Sequence, residues 1–337
     1  MQKVSIVVPN WNGEKSLADC LESLRNQTPT PHIILVDNGS TDSSLQLTTD
    51  YSPEVEIILL GNNQGFAGGV NFGIKRSLEL GVDYIALFNN DAVADKRWLE
   101  NLTQAMQNSP RSGIVTSKML SGNGKTIDST GDFYTIWGLP HPRGRGEKTT
   151  PKYDKDSDVF GGSGGASLYR TKMLRQIGLF DEDFFAYYED VDLSFRAQLA
   201  GWKVAYEPKA VVYHQIGGTS GKIKDFTTYQ TMKNLPWLLW KNVPRGLLLK
   251  ILPRFMLAYW GIYLSAIRRG QVLPATKGGL VSFILLPKKL LQRHNIQKNR
   301  MVSDDYIKSI IIYDLPPNAH KLRNLRYKWW KLIRSNT

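Results

Sequence analysis

The residues of this 337-residue chain best suited to chemistry lie in two short polar stretches. The first, Asn89-Asn90-Asp91, ends the apolar run Tyr84-Ile85-Ala86-Leu87-Phe88. A carboxylate beside amide oxygens suits a hard divalent cation, and the same residues also suit an Asx turn closing a strand. The second, Glu189-Asp190-Val191-Asp192, follows Phe184, Phe185, Tyr187 and Tyr188. Crowded carboxylates walled from water by aromatic rings are pushed up in pKa, toward the range of a working base. Acids in a helix's first turn also complement its dipole, by about 0.3–1 kcal/mol each, so capping is the competing reading. His214, after the apolar run at 210–213, is a structural imidazole or, once a metal site is required, a further ligand.

The apolar spacing indicates what must position these groups. Residues 4–8, 32–36, 56–60 and 84–88 read as strands. Leu17, Leu21 and Leu24, then residues 70–80, then Trp98, Leu102 and Met106 read as intervening helices. This alternation predicts an α/β fold, a Rossmann-like and mostly parallel sheet with right-handed crossovers. The strands end in polar clusters at 9–12, 37–40, 61–65 and 89–91, and four such clusters at one sheet edge read as a ligand crevice. Residues 65–73, rich in glycine, either present helix-start amides to a phosphate or make a tight turn. The stretch lacks G-x-G-x-x-G spacing, and the chain has no G-x-x-x-x-G-K-[ST].

Another strand is expected at 113–119, followed by a long Gly-, Pro-, Lys- and Asp-rich excursion over 121–158. Gly161-Gly162-Ser163-Gly164-Gly165 marks a close approach to the backbone or a bent strand. A helix carrying Val191, Phe195, Arg196 and Leu199 is closed by Gly201, and short strands follow at 203–206 and 210–213.

The net charge of +13 is concentrated at one end: residues 245–337 carry 18 Lys and Arg against 3 Asp and Glu, whereas residues 1–244 carry 25 against 27. A basic end implies a polyanionic partner. With one cysteine, Cys20, no internal disulfide forms, and no charged n-region with an apolar core precedes the first strand, so a cytoplasmic location is expected.

Taken in series, several motifs resemble glycosyltransferase family 2, in particular its rhamnosyltransferase-like members. They are Val7-Val8-Pro9-Asn10-Trp11-Asn12, Val36-Asp37-Asn38-Gly39-Ser40-Thr41-Asp42, Asn63-Gln64-Gly65-Phe66-Ala67-Gly68-Gly69-Val70-Asn71, Phe88-Asn89-Asn90-Asp91 and Tyr188-Glu189-Asp190-Val191-Asp192-Leu193, spread over roughly residues 3–225. The resemblance implies a GT-A fold and an inverting transfer from a nucleotide-diphosphate sugar, dTDP- or UDP-linked. The acceptor it implies is a hydroxyl of a saccharide or polyprenyl-linked saccharide, in cell-surface polysaccharide synthesis.

By the same likeness Pro9, Asn10 and Asn12 line the nucleotide, and Asp37 accepts from the base N–H. Asn63, Gly65 and Asn71 lie near ribose and diphosphate, with Asn89 and Asn90 beside the donor. Asp91 occupies the last position of the family's Asp-x-Asp and, with His214, would hold Mg²⁺ or Mn²⁺. Asp190 resembles the catalytic base, with Glu189 as second choice. Gly162, Gly164 and Gly165 fall where relatives shape the acceptor site. The reduced motif leaves open a non-catalytic nucleotide-sugar-binding scaffold. A nucleotidyltransferase would carry a basic Gly-rich first loop, which residues 9–13 do not.

The chain divides by composition into a catalytic region, residues 1–225, and a basic helical extension, residues 226–337. Patches around 235–264, 281–289 and 327–334 mix Trp, Leu and cations as interfacial helices do, and no apolar run reaches the ~18 residues of a spanning helix. Attachment to the anionic inner face of the cell membrane is the expectation, a helical subdomain packed on the core the alternative. Nucleic acid is not expected as a partner, since no nucleic-acid motif accompanies the charge.

Overall fold

The computed structural model describes residues 2–51, 54–215 and 223–315, so the patch at 327–334 and residues 216–220 after His214 lie outside it. In chain order the elements are β1 (Val4–Asn10), α1 (Leu17–Arg25), β2 (His32–Asp37), α2 (Ser44–Leu47), β3 (Val55–Leu59), α3 (Gly65–Glu79), β4 (Tyr84–Phe88), β5 (Ala92–Ala94) and α4 (Trp98–Asn108). Then come β6 (Ser112–Ser121), β7 (Ile127–Ser129), β8 (Asp132–Tyr134), β9 (Pro140–Pro142), β10 (Ser157–Val159), β11 (Ala166–Arg170), α5 (Thr171–Ile177), α6 (Glu189–Leu199) and β12 (Lys203–His214). Five helices close the described chain: α7 (Phe226–Asn242), α8 (Arg245–Arg268), α9 (Val272–Ile284), α10 (Leu286–Lys298) and α11 (Asp304–Ile310).

The main sheet runs β10-β12-β6-β11-β4-β1-β2-β3. β3, β2, β1 and β4 are mutually parallel, as are β6 and β12, while β11 is antiparallel between β4 and β6. Successive residues of β1 and β2 point to opposite faces. Val4, Ile6, Val8, Ile33 and Leu35 meet α1 and α4, whereas Val7, Ile34 and Val36 meet α3 and α5. Burial on both faces explains why these strands are continuous apolar runs. The two short strands expected after residue 202 are one strand, β12, whose pairing with β6 shifts register between Glu207 and Val211. The excursion over 121–158 is built of β7, β8 and β9, with β7 on β6 and β8 on β9.

The extension shares a core with the catalytic region. Tyr134, Phe160, Val191, Phe195 and Leu199 pack in one cluster with Leu235, Leu238, Leu239, Val243, Leu247, Ile251 and Phe255. The change in composition at 225 is thus not a break in packing. Among the described residues one helix, α8, is long and apolar enough to cross a membrane by length and composition, contrary to the expectation from uninterrupted runs. Lys250, Pro253 and Arg254 interrupt it but are too few to offset the Leu, Ile and aromatic residues around them. One stripe of α8 is buried, and the outer faces of α8, α9 and α10 expose Leu249 (85 %), Leu273 (79 %), Phe283 (74 %) and Leu291 (73 %).

Candidate active site

Each strand end delivers its polar cluster to one edge of the sheet. Asn10, at the end of β1, donates from Nδ2 to Asp37 (3.0 Å) and Ser44 Oγ (3.0 Å), and its Oδ1 accepts from Asn90 Nδ2 (2.7 Å). Asp37 also accepts from the Ser40 amide (3.0 Å) and hydroxyl (2.5 Å) and is 2 % exposed. Asn12 holds the Thr41 amide (2.8 Å) from a left-handed backbone, φ 53°. The expected nucleotide residues Asn10, Asn12, Asp37 and Asn90 are therefore one network tying the ends of β1, β2 and β4. Pro9 lies half-buried within the same strand end.

The start of α3 is also closed on itself. Asn63 Oδ1 accepts from the Gly65 amide (2.8 Å), and the Phe185 carbonyl accepts from Ala67 N–H (3.1 Å). Gly65 sits at φ +72° with the Phe185 carbonyl where a Cβ would be, so both space and backbone require glycine. Asn71 is 2 % exposed and bonds the Phe180 carbonyl (2.9 Å), the Phe180 amide (3.1 Å) and Glu182 (2.8 Å). In this arrangement Asn71 struts the loop before α6, with its amide fully occupied by the protein.

Asp91 and His214 come together although 123 positions separate them, because β5 pairs β12 and sets His214 opposite Ala92. His214 Nε2 lies 3.0 Å from Asp91 Oδ1 and 3.2 Å from Asn89 Nδ2, and its Nδ1 lies 2.8 Å from Asp128. Asp128 is bound in turn by Arg145 (2.9 Å). Burial alone would lower the His214 pKa, but Asp128 and Asp91 outweigh it and raise it to about 9. A carboxylate and an imidazole whose far nitrogen is fixed by a second carboxylate are ligand types that would hold Mn²⁺, the ion displacing the proton that His214 otherwise shares with Asp91. Among the described residues no three His, Cys, Asp or Glu side chains form a metal cage by themselves.

Asp190 stands at the start of α6, half-buried. Its carboxylate accepts from the Gly164 amide (3.0 Å) and the Val191 amide (2.8 Å). Gly165 is packed against Asn89, leaving no room for a methyl, and its carbonyl accepts from the Asn89 amide (2.9 Å). One dipeptide, Gly164-Gly165, thus links the Asp190 end of the crevice to the Asn89–Asp91 end. Gly162 lies two residues before Gly164, its amide donating to Ser194 (3.2 Å).

Burial raises the Asp190 pKa, while the two amides pull it back. Glu189 is 6 % exposed, its Oε2 has no partner, and burial with the Asp190 charge alongside drives its pKa well above the usual range. A carboxyl that keeps its proton is a poor acceptor of another, so Asp190 is the better base of the two. Of the aromatic residues before them, Phe184 packs on Trp237 of α7, and Phe185 and Tyr187 pack on Phe226.

Three residues of this site have no sequence signal of their own: Asp128, Arg145 and Asp132. Asp132 is 5 % exposed, and burial with the Asp190 charge raises its pKa well above the ordinary range. The only hint is two acids four apart, Asp128 and Asp132, in a Gly-, Pro-, Lys- and Asp-rich excursion.

Residues 5–178 match the family model described as glycosyl transferase family 2. The chain belongs to that family. Among its curated relatives, N-acetylglucosaminyl-diphospho-decaprenol L-rhamnosyltransferase of Mycobacterium tuberculosis is 28 % identical over 240 residues, covering 64 % of this chain and 77 % of the relative. Poly-beta-1,6-N-acetyl-D-glucosamine synthase of Staphylococcus epidermidis is 23 % identical over 227 residues, 66 % of this chain and 52 % of the relative. Among solved structures, S. aureus TarS residues 1–349 superpose with a TM-score of 0.54 at 17 % identity, covering 91 % of both chains. GalNAc-T7 with UDP, GalNAc and Mn²⁺ gives 0.61 at 14 % identity, covering 92 % of this chain and 56 % of that one. The fold of this glycosyltransferase family 2 chain is accordingly GT-A.

Proposed function

We propose that this chain is an inverting, metal-dependent glycosyltransferase. In this reading it moves rhamnose or a hexose from a dTDP- or UDP-linked donor to a hydroxyl of a saccharide or polyprenyl-linked saccharide. The observation that carries it is the pairing, through Gly164-Gly165, of a base-competent Asp190 with the Asn89–Asp91/His214 group. The acceptor oxygen attacks the anomeric carbon from the Asp190 side and loses its proton to that carboxylate, while the bond from that carbon to the diphosphate oxygen breaks on the opposite side. Asp91 and His214 would hold the divalent cation, with Asp128 fixing the imidazole. The chemistry such a cation supplies is neutralisation of charge on the departing diphosphate.

The relatives named for rhamnose transfer to a decaprenol-linked sugar and for poly-N-acetylglucosamine synthesis support this substrate class. Titration of the protein with dTDP-rhamnose, UDP-N-acetylglucosamine and UDP-galactose, each with and without Mn²⁺, tests it by thermal unfolding. A bound donor at one hundred times its Kd adds about 2.7 kcal/mol of apparent stability. Asp91→Ala is expected to remove most of the Mn²⁺-dependent part of that gain. Nucleotide binding without transfer to any acceptor would instead favour a non-catalytic scaffold.

The exposed apolar faces of α8, α9 and α10, bordered by Lys250, Arg254, Arg268, Arg269 and Lys277, support attachment to an anionic bilayer. Flotation with phosphatidylglycerol vesicles is expected to carry the protein, and Leu273→Asp combined with Phe283→Asp to release it. Equal recovery with and without vesicles would count against attachment.

A further inference from the structure

We propose that Asn234 of α7 is a positioning residue for Asp190, and that it works by fixing the backbone of residues 184–188. The inference rests on the reading of Asp190 as the base. The loop before α6 has a geometry that residues with a Cβ rarely adopt: Phe185, Tyr187 and Tyr188 are left-handed, with φ of 63°, 68° and 71°. Such a conformation persists only where its surroundings over-determine it. The surroundings here come from the extension. Asn234 Nδ2 donates to the carbonyls of Phe184 (3.0 Å), Ala186 (2.9 Å) and Tyr187 (2.8 Å). Three carbonyls converge on one amide nitrogen only when the chain curls around it.

The neighbouring contacts act in the same sense. Lys233 donates to the Asp183 carbonyl (2.8 Å) and the Phe184 carbonyl (3.3 Å). Lys289 of α10, fully buried, binds Asp181 and Asp183 at 2.7 Å each and lies over the Phe184 ring, 5.6 Å from its centre. On its other side the loop gives the Phe185 carbonyl to the start of α3. Asp190 follows Tyr188 by two residues, so the left-handed turn sets where α6 begins and whether the carboxylate meets Gly164. The clamp comes from α7 and α10, beyond the family match at 5–178.

Asn234→Asp tests this, because it keeps the size of the side chain and removes its N–H donors. Hydrogen exchange of peptides covering 183–192 is expected to quicken about tenfold or more, with 17–25 and 98–108 unchanged. Sugar transfer from dTDP-rhamnose or UDP-N-acetylglucosamine is expected to fall about ten- to a hundredfold, the usual effect of a misplaced catalytic group. The Kd for UDP or dTDP with Mn²⁺ is expected to stay within about threefold. Where Asn234→Asp does not fold, Asn234→Leu, which removes the N–H donors without adding a charge, is read in the same way. Unchanged exchange at 183–192 overturns the proposal. So does exchange that rises throughout the chain, or wild-type transfer from a variant whose loop has loosened while Asp190→Asn is inactive. If Asp190→Asn is itself fully active, the base assignment falls, and the exchange measurement still judges the clamp.

Discussion

Asp190→Asn is expected to give a folded protein that still binds nucleotide and transfers sugar about 10³-fold more slowly. A positioned general base contributes roughly 10²- to 10⁴-fold, and no other side chain here is as well placed to take a proton. The Asp190 carboxylate has two amide donors, from Gly164 and Val191, whereas Glu189 Oε2 has none. Gly164 and Val191 bond different oxygens of the carboxylate, so asparagine keeps an acceptor for one of those amides and loses the proton acceptor. The fold is expected to survive, because burial raises the Asp190 pKa. A carboxylate whose folded pKa lies above its unfolded value costs stability once ionised, and relief of that cost in the neutral amide offsets the one hydrogen bond lost, so the variant is expected to stay folded. In the wild-type protein turnover is expected to decline as the pH falls and Asp190 takes up its proton. Transfer by the variant within tenfold of wild type, assayed with saturating donor and acceptor, would remove Asp190 from the mechanism.

How the site assembles shows which parts of it were readable in sequence order. Strand ends announce themselves, because an apolar run buried on both faces must stop where polar residues begin. That is why Asn10, Asp37 and Asn89–Asp91 are legible in the sequence as residues of the sheet edge. Asp91 and His214 were legible as ligand types, but their meeting depends on β5 crossing to pair with β12, a long-range contact that no local pattern encodes. Amide side chains were harder to assign, since an asparagine that binds a ligand and one that braces a loop look alike in sequence. Asn71 proves to brace the 180–182 loop, and Asn234 proves to gather three carbonyls. Asp128 and Arg145 lie in an excursion without periodicity, and only the fold reveals that they stand behind His214.

Lys241→Met is expected to cost the fold about 3–5 kcal/mol at neutral pH, the price of leaving buried carboxylates without their cation. Lys241 is buried, and its ammonium lies 2.6 Å from Asp181 and 2.9 Å from Asp192, both buried as well. Methionine replaces the stem in volume but not the charge. Arg196 (2.9 Å) and Asn242 (2.8 Å) remain on Asp192, and Lys289 (2.7 Å) on Asp181, so the loss is large without being total. The pH dependence has a definite sign. Burial works against the charged forms of both acids, yet Lys241 with Lys289 on Asp181, and Lys241 with Arg196 on Asp192, hold them below the ordinary carboxylate range. Stability from a depressed carboxylate is complete above its unfolded pKa of about 3.9 and disappears as the pH falls through the folded value. The unfolded acids titrate alike in both proteins, so the difference between wild type and variant is expected to shrink as the pH falls and the variant's unpaired carboxylates take up protons in the folded state before those of the wild type do. Urea unfolding as the pH is lowered measures it directly. Adding Asp192→Asn to Lys241→Met should recover part of the loss, because it removes one of the charges left unpaired. A variant as stable as wild type at pH 7 would mean that the Lys241 ion pairs add nothing to the hold of the extension on the catalytic region.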